Sequence, residues 1–255
     1  MRIVVKVGTS TLAHKTGNLN IRRVEELCKV LSDLKNAGHE IVLVSSGAIG
    51  MGVGKLSMQG KPADIPTKQA AAAVGQCELM YTYDKLFSEY NHTVGQILLT
   101  GDDVENDERH TNFQNTVYKL LELGAVPVIN ENDSIATEEI VIGDNDTLGA
   151  IVATSIDADL LVILSDIDGL YTGDPRKDKD ATLLKEVNDI TKDIEDLAGD
   201  AGTKFGTGGM KTKITAAKIA MDGDVTMVIT NGKNPETLYN IVDNKDFIGT
   251  KFKRN

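Results

Sequence analysis

The chain has 255 residues, 41% of them hydrophobic, and carries 38 acidic against 27 basic side chains for a formal net charge of −11. That length and apolar content suffice for one large domain with a real core. The negative charge argues against holding nucleic acid or an anionic membrane through the overall field, so any anionic substrate must be caught by a few local lysines and backbone amides.

The N-terminus, Met1-Arg2-Ile3-Val4-Val5-Lys6-Val7-Gly8, is charged too early for a secretory signal and reads directly as a strand. No apolar run approaches the length that crosses a bilayer, so a soluble, cytoplasmic protein is expected. Short β-branched runs at residues 3–7, 41–44, 94–99, 126–129, 160–164 and 225–229 alternate with helical patterns. This is the pattern of an α/β fold with a mainly parallel sheet covered by helices. The first helix is delimited by Asn20 as N-cap, a stripe of Val24, Leu27, Cys28, Leu31 and Leu34, and Gly38 as its stop. Further helices are expected at about 67–89, 112–123, 148–156, 211–221 and 235–242. Two segments break the rhythm. Residues 51–66, with Gly52, Gly54, Gly60, Pro62 and Pro66, read as a mobile flap, and residues 171–182 as an exposed hairpin tip. Cys28 and Cys77 form neither a disulfide framework nor a metal motif and read as structural thiols in a reducing compartment.

The strand ends are polar and glycine-rich: Lys6-Val7-Gly8-Thr9-Ser10, Ser45-Ser46-Gly47-Ala48-Ile49-Gly50, Asn130-Glu131-Asn132-Asp133-Ser134 and Ser165-Asp166-Ile167-Asp168-Gly169. Ligands of open α/β sheets bind beyond the carboxyl ends of the strands, so these clusters are expected to converge on one crevice. A fifth element is Gly206-Thr207-Gly208-Gly209-Met210-Lys211-Thr212-Lys213, a glycine loop opening a helix. Its backbone N–H groups and helix start suit a phosphate, although the spacing is not that of a P-loop. On the helix opened by this loop, Lys213 shares a face with Ala217 and Ala220, whereas Lys211 shares one with Thr215, Lys218 and Asp222. Lys213 is therefore expected to reach a buried phosphate and Lys211 to stay peripheral.

Several chemistries lose support. Gly8-Thr9-Ser10-Thr11 is not a dinucleotide fingerprint, and His14, His39, His92 and His110 fall outside every cluster, which disfavours a triad hydrolase or a histidine-ligated zinc site. Lys6 stands in a strand of isoleucine and valine, where a charge is costly unless paired or used. Two cations flanking a transferring phosphoryl group would stabilise its charge. Gly143-Asp144-Asn145-Asp146 could orient those lysines, hold the water shell of a magnesium ion, or simply form a turn with a helix cap.

Together with Pro127-Val128-Ile129 before the Asn130 cluster and Gly169-Leu170-Tyr171 after Ser165-Asp166, these motifs resemble the amino acid kinase family over residues 4–252. The glycine loop and Lys6 are shared widely in that family. The Asn-Glu-Asn-Asp and Gly-Asp-Asn-Asp pair, with Ser-Ser-Gly-Ala-Ile, resembles the branch that acts on L-glutamate. The resemblance implies a three-layer αβα sandwich, one kinase domain over residues 1–255, and ATP with Mg2+ as phosphoryl donor. It implies that Lys6 and Lys213 contact the transferred group and that Asp146 organises them. Lys6, Ser165, Asp166, Thr207, Gly208, Gly209, Met210, Lys211, Thr212 and Lys213 would hold ATP; Ser46, Gly47, Ala48, Asp133 and Asn145 would hold glutamate. Asp144 lies where the family senses L-proline, so feedback inhibition is expected, as is a homo-oligomer.

The resemblance also departs in places. Family members often continue into a C-terminal domain of a type found in RNA-modifying enzymes, whereas this chain ends at Lys251-Phe252-Lys253-Arg254-Asn255, and they commonly carry arginine where Gly101 stands, with Arg109 nearby. A glutamate side chain has a pKa of about 4.3 and is already ionised at neutral pH, so the implied reaction needs no general base. Competing readings are a family member with another acceptor, such as aspartate, acetylglutamate, carbamate or a nucleotide, and a non-catalytic glutamate or proline sensor. Retention of both lysines argues against the sensor.

Overall fold

The computed structural model describes residues 1–14, 18–60, 62–135, 144–175, 178–199 and 209–254. In chain order the elements are β1 (Arg2–Val7), α1 (Thr9–Leu12), α2 (Ile21–Asn36), β2 (Glu40–Ser45), α3 (Ala48–Lys55), α4 (Ile65–Ser88), β3 (Val94–Leu99), α5 (Gly101–Glu105) and α6 (Asp107–Glu122). After these come β4 (Val126–Glu131), α7 (Asn145–Ser155), β5 (Leu160–Ser165), β6 (Glu186–Val187), α8 (Lys192–Gly199), α9 (Met210–Asp222), β7 (Thr226–Asn231), α10 (Thr237–Val242) and β8 (Gly249–Phe252).

The strands form one sheet in the order β3-β4-β2-β1-β5-β7-β8-β6. All pairings are parallel except that of β8 with β7. Period-two alternation assigns the two faces. Ile3, Val5 and Val7 of β1 join Leu27, Leu31, Leu79, Tyr83 and Phe87 of α2 and α4 on one side. Val4 of the same strand joins Leu148, Val152, Ile214 and Ala217 of α7 and α9 on the other. The result is the expected α/β sandwich with helices on both faces. Because β4, β2, β1 and β5 are consecutive and parallel, the four polar strand ends lie side by side along one edge of the sheet.

Local chemistry explains most element boundaries. The Asn20 side chain accepts from the Arg23 N–H and starts α2, and Gly38 follows its end at φ +94°. Helix α4 starts two residues before the apolar pattern indicates, because the Asp64 carboxylate accepts from the Thr67 backbone N–H (2.9 Å) and hydroxyl (2.7 Å). Helix α6 starts at Asp107 rather than 112, because Asn106 caps it by accepting from the Arg109 N–H at 3.0 Å. Short β6 and β8 carried no readable period.

The expected flap over residues 51–66 is corrected in its first part. Residues 51–55 belong to α3, which crosses α4 at close range. A Cβ on Gly52 would fall 1.8 Å from the Ala71 carbonyl oxygen, and one on Gly75 would fall 1.7 Å from that of Ala48. These glycines serve a helix crossing in which the backbones nearly touch, not a hinge. The expected hairpin at residues 171–182 is present at its base, where Tyr171 and Leu183 form an antiparallel bridge and Thr172 N–H donates to the Thr182 carbonyl at 2.9 Å.

Candidate active site

The site is organised by the first turn of α7. Asp144 is its N-cap, with Oδ1 accepting from the N–H groups of Asp146 (2.8 Å) and Thr147 (3.0 Å) and Oδ2 from the Thr147 hydroxyl (2.9 Å). Two backbone donors and one hydroxyl thus hold the turn rigid and fix where Asn145 and Asp146 point.

Asp146 is fully buried, and two ammonium groups meet it from different elements. Lys6 Nζ, from β1, lies 2.6 Å from Oδ1, and Lys213 Nζ, from α9, lies 3.0 Å from Oδ2. The exposures are 0% for Asp146, 8% for Lys6 and 5% for Lys213. The Thr212 hydroxyl stands 3.1 Å from Asp146 Oδ2 and 2.8 Å from the Gly209 carbonyl oxygen, to either of which it donates. Burial pushes the Asp146 carboxyl upward, but the two ammonium groups outweigh it and hold the pKa below the ordinary carboxylate value. Lys6 reaches this point because glycines stand where its stem and tip pass. A Cβ on Gly149 of α7 would lie 3.3 Å from Lys6 Cβ, and one on Gly8 would lie 3.3 Å from Lys6 Nζ.

One residue earlier, the chemistry is neutral. Asn145 Nδ2 donates to Ser46 Oγ (2.8 Å) and to Asn130 Oδ1 (2.9 Å). The Glu131 N–H also donates to Asn130 Oδ1 at 2.9 Å, and Asn130 Nδ2 donates to Gln76 Oε1 at 3.0 Å. Gln76 Nε2 in turn donates to Gln96 Oε1 at 3.0 Å. Ser46 itself comes directly after β2, with its N–H donating to the Val7 carbonyl at 3.0 Å. Gly47 then turns the chain into α3 at φ +111°, a conformation that favours glycine, and Ala48 is buried as the first residue of that helix. Behind the turn the Ser45 hydroxyl donates to the Ser46 carbonyl at 3.1 Å and lies 2.7 Å from the buried Tyr83 hydroxyl of α4.

The remaining expected residues lie around this centre. Asp133 is half-buried two residues beyond β4, and burial raises its carboxyl pKa. Ser165 ends β5, its hydroxyl 3.3 Å from Asp166 Oδ1, with Asp166 exposed. Gly209 is the N-cap of α9 without a side-chain cap, Met210 is buried and Lys211 is exposed. Gly143, Gly206, Thr207 and Gly208 lie outside the described residues. The structure therefore brings Lys6, Asp146, Lys213 and Thr212 together, and Ser46 with Asn145. Among the described residues no hydrogen bond ties Asp133 to that pair. Sequence reasoning placed Asn130 in a motif without giving it a role and missed Gln76. A lone amide on the buried face of an alanine-rich helix was the available signal.

Paired lysines thus meet a buried carboxylate at the carboxyl edge of a parallel sheet, beside a glycine-started helix. Residues 1–231 match the model of the amino acid kinase family. The chain belongs to the amino acid kinase family. Among curated members, it is 54% identical over 255 residues to a protein of Clostridium perfringens called glutamate 5-kinase, covering 98% of this chain and 94% of the relative. A protein of the same name from Listeria monocytogenes is 51% identical, with 98% and 92% covered. Among solved structures of the fold, carbamate kinase from Giardia lamblia bound to AMP-PNP is 15% identical with a TM-score of 0.71, covering 100% of this chain and 98% of that one. Isopentenyl phosphate kinase of T. acidophilum, in a product complex, is 18% identical with a TM-score of 0.69 and 98% of each chain covered. At those identities the structures show a shared amino acid kinase fold. No described helix is long and apolar enough to cross a membrane.

Proposed function

We propose that this amino acid kinase transfers the γ-phosphoryl group of ATP to the side-chain carboxylate of L-glutamate, giving L-glutamyl 5-phosphate, the first step of proline biosynthesis from glutamate. The observation that carries the reading is the adjacency of Asn145 and Asp146 on one helical turn, which joins a buried charge clamp to a neutral amide site. Similarity to glutamate 5-kinases over nearly the whole chain selects glutamate as the acceptor. A sensor or a different carboxylate acceptor is not favoured by that similarity.

The geometry supports the following assignment of roles. An ammonium group has three N–H donors, so engagement with Asp146 does not by itself exhaust Lys6 or Lys213. Held at the two oxygens of one carboxylate, they would receive the equatorial oxygens of the phosphoryl group as charge spreads in the transition state. Both amide hydrogens of Asn145 are committed, leaving its carbonyl oxygen to accept from the α-ammonium of an amino acid. Ser46 Oγ accepts from Asn145 and keeps its O–H to donate to a carboxylate, with the Gly47 and Ala48 backbone beside it. Ionised Asp133 would add negative charge for the ammonium. The attacking carboxylate needs no base; positioning against a neutralised phosphate is the whole task.

ATP would lie across Ser165 and Asp166 and the start of α9, where Gly209, Met210, Lys211 and Thr212 would offer N–H groups to phosphates; Thr207 and Gly208, outside the described residues, are proposed to join them. Among the described residues no group of three or more His, Cys, Asp or Glu side chains could hold a metal ion. We propose magnesium, which is commonly bound through one or two carboxylates plus substrate phosphates and would supply positive charge to neutralise the phosphates. L-Proline is proposed to inhibit at Asp144. Because Asp144 caps α7, an occupant there would act on both halves of the site through one turn. We further propose a cytoplasmic homo-oligomer whose residues 1–255 form one kinase domain.

The test is ADP release from Mg-ATP with L-glutamate, L-aspartate or N-acetylglutamate, with hydroxylamine present to trap an acyl phosphate. Hydroxamate with L-glutamate alone is expected. Absence of turnover with all three would overturn the reading.

A further inference from the structure

We propose that Gln76 is a positioning residue for the acceptor substrate, acting through Asn130 on Asn145; the inference rests on the proposed glutamate-kinase activity. Gln76 stands on α4, far from the phosphoryl clamp in sequence, and is only 8% exposed within a run of alanine, valine and glycine. A buried amide must be paired, and both ends of Gln76 are: Oε1 accepts from Asn130 Nδ2 at 3.0 Å and Nε2 donates to Gln96 Oε1 at 3.0 Å.

The direction of the relay matters. Asn130, 2% exposed, has its oxygen fixed by the Glu131 backbone N–H, a donor that cannot rotate away. Its nitrogen therefore points at Gln76, where the structure supplies an acceptor. With that acceptor in place, Asn130 Oδ1 holds one hydrogen of Asn145 Nδ2 while Ser46 Oγ holds the other. Asn145 is then locked with its carbonyl oxygen outward. Removing the acceptor at residue 76 leaves a buried N–H of Asn130 without a partner. Rotation of that amide to recover one would put N–H groups where Asn145 needs an oxygen.

Helix α4 is held where Gln76 can do this by two further contacts. Gly75, its neighbour, lets the backbone of α3 approach so closely that a Cβ would lie 1.7 Å from the Ala48 carbonyl oxygen. Tyr83, seven residues on and on the same face, meets Ser45 at 2.7 Å. One helix face thus reaches the end of β4 through Gln76 and the end of β2 through Tyr83.

The experiment compares Gln76→Met, which keeps size and removes the acceptor, with Gln76→Glu, which keeps an acceptor for Asn130 in either protonation state. Loss of one buried hydrogen bond with an orphaned partner predicts a rise of about tenfold in KM for L-glutamate in Gln76→Met, with KM for ATP and kcat within about twofold of wild type. Gln76→Glu is expected to stay near the wild-type KM. Adding Gln76→Met to Asn145→Ala is expected to change KM for L-glutamate no further, since the effect passes through Asn145. The inference is overturned if KM for L-glutamate is unmoved in Gln76→Met, if both substrates are affected equally, or if the two substitutions add. A thermal melt of each variant identifies a loss that comes from misfolding, and in that case the Gln76→Glu comparison decides. A wild-type chain that forms no hydroxamate with L-glutamate overturns the proposed function, and with it this role; a wild type that turns over while Gln76→Met matches it overturns the role alone.

Discussion

Two neighbouring residues on α7 head chemically different regions. Asp146 gathers two ammonium groups and a hydroxyl in a buried charge cluster, whereas Asn145 gathers only a hydroxyl and a chain of amides. The difference follows from what each half has to handle. A transferring phosphoryl group is negative throughout, and charge aimed at it before reaction needs no reorganisation. A free amino acid carries both signs, so recognition rests on the pattern of donors and acceptors, and a neutral relay fixes that pattern without a buried net charge. The charged half is held by ion pairs across three elements, and the neutral half by the orientation of successive amides.

Removing the centre of the charged half is expected to have the largest effect. Asp146→Asn leaves two buried ammonium groups without their carboxylate and should cost about 3–5 kcal/mol of stability at pH 7, read by chemical denaturation. The Asp146 pKa is lowered on folding, so its contribution is full above the unfolded value of about 3.9 and is lost as pH falls through the lower folded value. The gap between wild type and variant should be level from neutral pH to about 5 and close only in stronger acid. A gap that stays fully open in strong acid, where Asp146 is protonated, would contradict the ion-pair account.

Next in size is Lys213→Ala, expected to lower kcat by about a hundred- to a thousandfold while leaving KM for L-glutamate little changed, because its contact matters most in the transition state. Normal turnover in a folded variant would remove Lys213 from the mechanism. The exposed Lys211 serves as the comparison, with a much smaller loss.

Beside the neutral relay stands the carboxylate of Asp133, and Asp133→Ala should raise KM for L-glutamate about ten- to a hundredfold, the value of a charge-assisted hydrogen bond, with KM for ATP unchanged. Burial raises the Asp133 pKa, and the ionised form is the one that attracts an ammonium group. Glutamate affinity should therefore weaken as pH falls through that raised value, and Asp133→Asn should flatten this acid limb of kcat/KM. Equal losses for both substrates would point to a folding defect. The smallest effect is expected from Tyr83→Phe, about 1 kcal/mol of stability with kcat unchanged, since its hydroxyl meets Ser45 behind the site.

Much of this site could be read from residue order. The phase of Lys211 and Lys213 on their helix assigned one to solvent and the other to the interior, because helical periodicity is local. The cost of Lys6 in an apolar strand pointed to a partner, and Asp146 was among the groups available. The same reasoning failed where glycines had two uses. Gly52 read as part of a mobile flap, and only the 1.8 Å that would separate an added Cβ from the Ala71 carbonyl oxygen shows it to be a packing contact.

By itself the sequence determined the alternation of strands and helices, the polar strand ends, the buried lysine and the kinship with amino acid kinases, all of which rest on periodicity and short motifs. Only the tertiary structure decided that β4, β2, β1 and β5 stand side by side, that one carboxylate receives both lysines, and that Gln76 reaches Asn130 across 54 residues. Hydrogen bonds and ion pairs act over about 3 Å, and which groups come that close is set by the packing of whole elements rather than by the order of their residues.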